Sequence, residues 1–74
     1  MKAATPLDLR SLPAPEPLER VLDALGDLGH GDILRVLLAR EPYPLYGILE
    51  REGWRHHAAW QDDGSCLIAI EREP

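Results

Sequence analysis

Apolar residues alternate with polar ones at Leu7, Leu9 and Leu12, with Asp8 and Arg10 between the first pair. That brief alternation predicts a short strand over Leu7 to Arg10. Pro13, Pro15 and Pro17 follow. Each fixes φ and lacks a backbone donor, so together they suit a turn and the first turn of a helix, not a central strand. A helix is expected from Pro15 to about Leu28, because Leu18, Val21, Leu22, Leu25 and Leu28 recur at helical spacing. Glu16 and Glu19 place negative charge at its positive end, and Gly29 supplies a stop. Free N–H groups should face outward at this turn.

Ile33 to Ala39 is a nearly continuous apolar run with one arginine, the pattern of a central strand. A second helix is predicted to start near Pro44, to bury Leu45, Ile48 and Leu49, and to end at Gly53. Trp54 to Trp60 reads as a third strand, with Trp54, His56, Ala58 and Trp60 on one face. Asp62, Asp63 and Gly64 form a hairpin turn signal. Cys66 to Ile70 is the fourth strand, and Glu71 to Pro74 a polar end. The order is β-α-β-α-β-β. Right-handed crossovers then place both helices on one face of a four-stranded mixed sheet, an α/β (α+β) two-layer sandwich.

The 74 residues, 45% of them apolar, suffice for one small domain spanning 1–74, with 1–5 as a loose tail. A net charge of −5 and a single lysine, Lys2, argue against nucleic-acid or anionic-membrane binding. One cysteine excludes an internal disulfide and any cysteine-based zinc cluster. No signal-peptide pattern or long apolar run is visible, so a cytoplasmic location is expected. No nucleophile–base pair, carboxylate pair or Gly-rich phosphate loop has convincing spacing. The expectation is therefore a non-enzyme with no cofactor.

The residues Leu7-Asp8, Leu12 and Pro15-Glu16-Pro17, followed by an amphipathic helix, resemble the TusA/SirA sulfur-carrier family. That family has the same element order. Its signature is an LD dipeptide, a Gly-Leu, then a Cys-Pro-x-Pro turn. Here Ser11 replaces the glycine, and Ala14 falls where the sulfur-carrying cysteine would be. The segment Arg40-Glu41-Pro42-Tyr43-Pro44-Leu45 is similar to one in an uncharacterised sister group that keeps the fold without the cysteine. Its relatives occur alone or joined to hemerythrin-like domains, which implies an accessory or sensing role. A cysteine at that helix start would gain a lowered pKa and reactivity; alanine offers no such chemistry.

The candidate binding residues are Asp8, Arg10, Pro15, Glu16, Pro17, Arg40, Glu41, Tyr43 and Tyr46. Parallel pairing of the first two strands should bring Arg10 near Arg40, Glu41 and Tyr43, at the sheet edge where ligands of open α/β sheets bind. Two arginines there would suit a small anionic ligand or a partner's carboxylate. The competing expectation is that Arg10 and Arg40 pair with Asp8 and Glu41 while the tyrosines cap the core. Arg40→Ala or Tyr43→Ala should weaken partner binding without unfolding the domain. His56 and His57 point to opposite faces and cannot share a metal without distorting the strand. Trp54 and Trp60 read as core or sheet-cover residues rather than an aromatic ligand box. Cys66 reads as a small core residue, or, if exposed, as a displaced sulfur acceptor. The leading expectation is a protein-binding module; the alternative is small-anion binding or sulfur carriage through Cys66. A homodimer through the third strand or an exposed sheet face fits either.

Overall fold

The structure, a computed structural model, describes residues 6–73. The expected tail and the lysine within it, together with Pro74, lie outside the described residues. The chain runs β1 (Leu7–Asp8), α1 (Glu16–Gly26), β2 (Leu34–Leu38), α2 (Tyr43–Arg51), β3 (Trp54–Trp60) and β4 (Cys66–Arg72). The strands form one mixed sheet in the order β1-β2-β4-β3. β1 and β2 are parallel, and β4 is antiparallel to both β2 and β3. The crossover through α2 therefore leaves a gap between β2 and β3, and β4 fills it. Two helices and a four-stranded mixed sheet make the two-layer α+β sandwich that the hydrophobic pattern predicts.

The periodicities act on one core. Val36 and Leu38 of β2 and Cys66, Ile68 and Ile70 of β4 present alternate positions to the helices, and all are buried. Val21 and Leu25 of α1 and Leu45 and Leu49 of α2 close over them, with Leu9 and Trp54 at the margins. Among the described residues no helix is long and apolar enough to cross a membrane.

Several boundaries differ from expectation for identifiable reasons. β1 stops at Asp8 because the Asp8 carboxylate accepts the Arg10 N–H (3.1 Å) and turns the chain, although the Leu9 N–H still donates to the Leu37 carbonyl at 2.9 Å. α1 ends at Gly26 rather than Leu28, since the last N–H groups switch to shorter loops. Asp27 donates to the Ala24 carbonyl and Leu28 to that of Leu25, both at 3.1 Å. Gly29 is not the stop; its N–H donates to the Asp32 carboxylate at 3.0 Å within the following loop. Ile33 is largely exposed and outside β2. β4 continues through Glu71 and Arg72, which pair with Arg55 and Trp54. The Arg55 guanidinium reaches the Glu71 carboxylate (3.1 Å), and Arg72 lies 4.6 Å over the Trp54 ring, so the polar end extends the ladder. Trp60 is 60% exposed, a correction to its reading as core or sheet cover. It occupies the last position of an edge strand.

Candidate functional site

The starts of α1 and α2 face each other across the C-terminal ends of β1 and β2, and a groove of about 610 Å³ lies between them. Its floor is Leu9, Leu12, Leu18, Leu38 and Leu45. Pro13, Ala14, Pro15 and Pro17 make one wall, and residues 39–42 with Pro44 the other. The prolines explain why the groove stays open. Both helix starts are proline-rich, so the chain cannot fold a further turn inward to cover the leucines. The Ala14–Pro15 peptide is cis. Ala14 gives the first wall only a methyl group, leaving the space beside it unfilled.

This groove gathers Pro15, Pro17, Arg40 and Glu41 from the expected site and leaves the others elsewhere. Arg10 does not join Arg40. Its guanidinium holds Asp8 in a two-point pair (Nε–Oδ1 2.9 Å, Nη2–Oδ2 2.7 Å) and reaches Asp63 in the β3–β4 turn at 3.1 Å. The cause is strand order: β4 sits beside β2, so the hairpin turn lies within reach of the end of β1. The Asp8 carboxyl is held down at about 2, chiefly by the Arg10 side chain's hydrogen bonds. The competing expectation thus holds for Arg10. It does not hold for Arg40, which has no carboxylate within ion-pair distance among the described residues. Glu16 is outside the groove lining and lies 4.0 Å from Arg20 along the helix.

Tyr43 and Tyr46 also leave the groove. Tyr46 turns toward β3, stacks on His56 at 4.5 Å between ring centres, and donates its hydroxyl to the Glu41 carboxylate at 2.9 Å. Partial burial and that carboxylate raise its pKa. Tyr43, 70% exposed, meets Tyr46 edge-on at 6.1 Å. The neighbouring Glu41 raises its pKa too. Tyr46 therefore lies against β3 with Tyr43 on its edge, and neither lines the groove.

The free N–H groups expected at the first helix start are mostly consumed. Glu16 donates to the Pro13 carbonyl at 3.0 Å and Glu19 to that of Pro15 at 3.2 Å, while Pro17 has no N–H. Among the described residues, the Ala14 and Leu18 N–H groups are left without a backbone acceptor there. At α2, Leu45 and Tyr46 both donate to the Pro42 carbonyl, at 3.0 and 3.2 Å.

Cys66 is fully buried, and burial, with the Glu41 charge nearby, pushes its thiol pKa up. It has neither the access nor the thiolate character of a sulfur acceptor. His56 and His57 point to opposite faces, the first half-buried and the second exposed. Among the described residues no group of three His, Cys, Asp or Glu side chains is placed to hold a metal ion.

Sequence reasoning placed the Arg40-to-Tyr46 segment, with Pro42 and Pro44, on the binding face but missed Leu9, Leu12, Ala14, Leu18 and Leu38 as groove residues. The signal was present in two proline pairs of the same spacing, Pro15-x-Pro17 and Pro42-x-Pro44, one before each helix. Fold and site together define a small α+β sandwich whose paired helix starts frame an apolar groove. Residues 6–72 match the model of a family described as Uncharacterized conserved protein (DUF2249), and the chain belongs to that family. No curated protein and no solved structure matches the chain.

Proposed function

We propose that this chain is a non-catalytic docking module related to the TusA/SirA carriers, in which the carrier turn has become one wall of a protein-binding groove. Its partner is a protein segment that offers an apolar side chain to the leucine floor and a carboxylate to Arg40. The observation that supports this most directly is the placement of Arg40: the one cation at the rim of an apolar groove, exposed and without an ion-pair partner among the described residues. An apolar floor supplies affinity through desolvation, and a rim charge supplies orientation and approach rate. Glu41 at the same rim disfavours a second carboxylate, so the segment carries a single acidic group next to its anchor.

Small-anion binding has less support, since the lining is mostly apolar and its one arginine sits beside the Glu41 carboxylate. Sulfur carriage through Cys66 has less still, because the thiol is enclosed.

The test is an NMR titration of the labelled domain with acetylated tetrapeptides that vary one apolar position and one acidic position. Peptides holding Leu or Ile beside Asp should shift the amides of Ala14, Leu18, Ala39 and Leu45. Arg40→Glu should weaken that binding at least several-fold, and Ala14→Trp, which fills the groove, should abolish it. Tyr43→Ala should leave it unchanged, contrary to what the sequence alone suggests, because the ring lies outside the groove lining. No peptide-dependent shift at those four amides, or equal shifts in Ala14→Trp, would overturn the proposal.

A further inference from the structure

β3 is an edge strand, and its outer side is unusually well suited to pairing. The Gln61 N–H donates to the Ser65 carbonyl (2.8 Å) and the Glu73 N–H to that of Gly53 (3.2 Å), at the two ends of the β3–β4 ladder. The register between them is unbroken. In an antiparallel ladder the hydrogen-bonded positions alternate. Arg55, His57 and Ala59 therefore direct their backbone groups to β4, and Trp54, His56, Ala58 and Trp60 direct theirs outward. The strand holds no proline, glycine or lysine, the residues that usually blunt an edge. The opposite edge, β1, is only two residues long.

The sequence of β3 is self-complementary about its midpoint. We propose that two copies of this chain pair antiparallel along β3, about a two-fold axis through His57. The outward-facing residues then match. Trp54 meets the partner's Trp60, and His56 meets the partner's Ala58, each as a reciprocal hydrogen-bonded pair made twice. Arg55 falls opposite the partner's Ala59, so no arginine opposes an arginine. An axis through Ala58 leaves Trp54 unmatched, and an axis through His56 leaves Trp60 unmatched. Only the axis at His57 uses the whole strand.

The side chains favour the same contact. Trp60 and Tyr43, 60% and 70% exposed, are the two most exposed large hydrophobic residues described; Trp60 ends β3 and Tyr43 packs on Tyr46, which stacks on His56 of β3. Trp60 shares the helix-facing side of β3 with His56, and Tyr43 joins that row through Tyr46. In the paired sheet Trp60 packs beside the partner's Trp54, whose ring is already held by Arg72 in the chain itself. Aromatic cross-strand pairs are among the strongest stabilisers of a sheet.

Sedimentation velocity over a concentration series should show a monomer passing to a dimer of the full chain. Ala58→Pro removes an outward N–H that β4 does not use, so the variant should melt where the parent does at concentrations at which the parent is monomeric, and sediment as a monomer at concentrations where the parent is dimeric. A register test does not depend on that variant's folding. His57→Cys places two thiols across the axis and should oxidise readily to a covalent dimer, with buried Cys66 uninvolved. Arg55→Cys and Ala59→Cys should not cross-link alone but should do so when mixed. A parent chain that stays monomeric at millimolar concentration overturns the proposal. So does a dimer in which His57→Cys cross-links no faster than Arg55→Cys. The groove is a separate surface: Ala14→Trp should leave dimerisation intact, and a failure of either proposal leaves the other standing.

Discussion

Arg10 carries its charge between two carboxylates, and its effect on stability has a defined sign. The Asp8 carboxyl falls from an ordinary 3.8 to about 2 on folding, mainly because the Arg10 side chain donates to it. Asp63 is also lowered, first by the Ser65 hydroxyl and backbone N–H and only then by Arg10. A carboxyl with a depressed folded pKa stabilises the fold above its unfolded pKa and loses that contribution as pH falls through the folded value. The affected window for Asp8 therefore runs from 3.8 down to about 2. Both groups are exposed, so solvent screens much of the effect. Arg10→Gln should flatten the fall of melting temperature through that window, while the part due to Asp63 and Ser65 persists. Melting curves at stepped acid pH decide it. An unaltered acid limb would mean that this pair, like many at surfaces, contributes nothing measurable. Asp8 and Arg10 were legible as a local pair from their spacing. The third member, Asp63, was not, because it comes from a turn 53 residues away.

At the scale of elements, the turn between β3 and β4 sets the register on which the long ladder depends. The Gly64 N–H donates to the Gln61 carbonyl at 3.0 Å, and Asp63 accepts from both the Ser65 N–H (2.9 Å) and its hydroxyl (2.6 Å). Gly64 closes the turn with φ at 87°, a left-handed conformation costly for a residue with a Cβ. Gly64→Ala meets open space around its new methyl group, so the backbone alone is strained. It should cost about 1–2 kcal/mol, read as a lower urea midpoint with an unchanged slope. The hairpin was legible because Asp-Asp-Gly between two alternating runs has one common structural meaning. Helix ends were less so. Leu28 keeps helical spacing and still packs on the core, yet it lies past the end of α1. Hydrophobic spacing reports burial, and burial continues through the tighter turn after Gly26.

For the molecule as a whole, element order and layer assignment were readable because two helical stripes and two buried strand faces must meet in one place. Val36, Leu38, Cys66, Ile68 and Ile70 belong to the same buried cluster as Val21, Leu25, Leu45 and Leu49. The groove was not readable, since it is space that the prolines prevent the chain from filling, and the apolar pattern marks only its floor. A single shared core has a consequence for unfolding. Ile68 lies at the centre of β4, fully buried and paired with Val36 on one side and Ala58 on the other. Truncating such a side chain costs about 2–5 kcal/mol. A domain of this length has roughly 4–11 kcal/mol in total, at ordinary stability per residue. Ile68→Ala should therefore remove a large fraction of the fold's stability. The loss should register equally in helix ellipticity and in the fluorescence of a Trp60→Phe background, where Trp54 is the one emitter, because neither helix has a core apart from the sheet. Separate transitions for the two signals would show instead that a helix can leave the sheet without unfolding it.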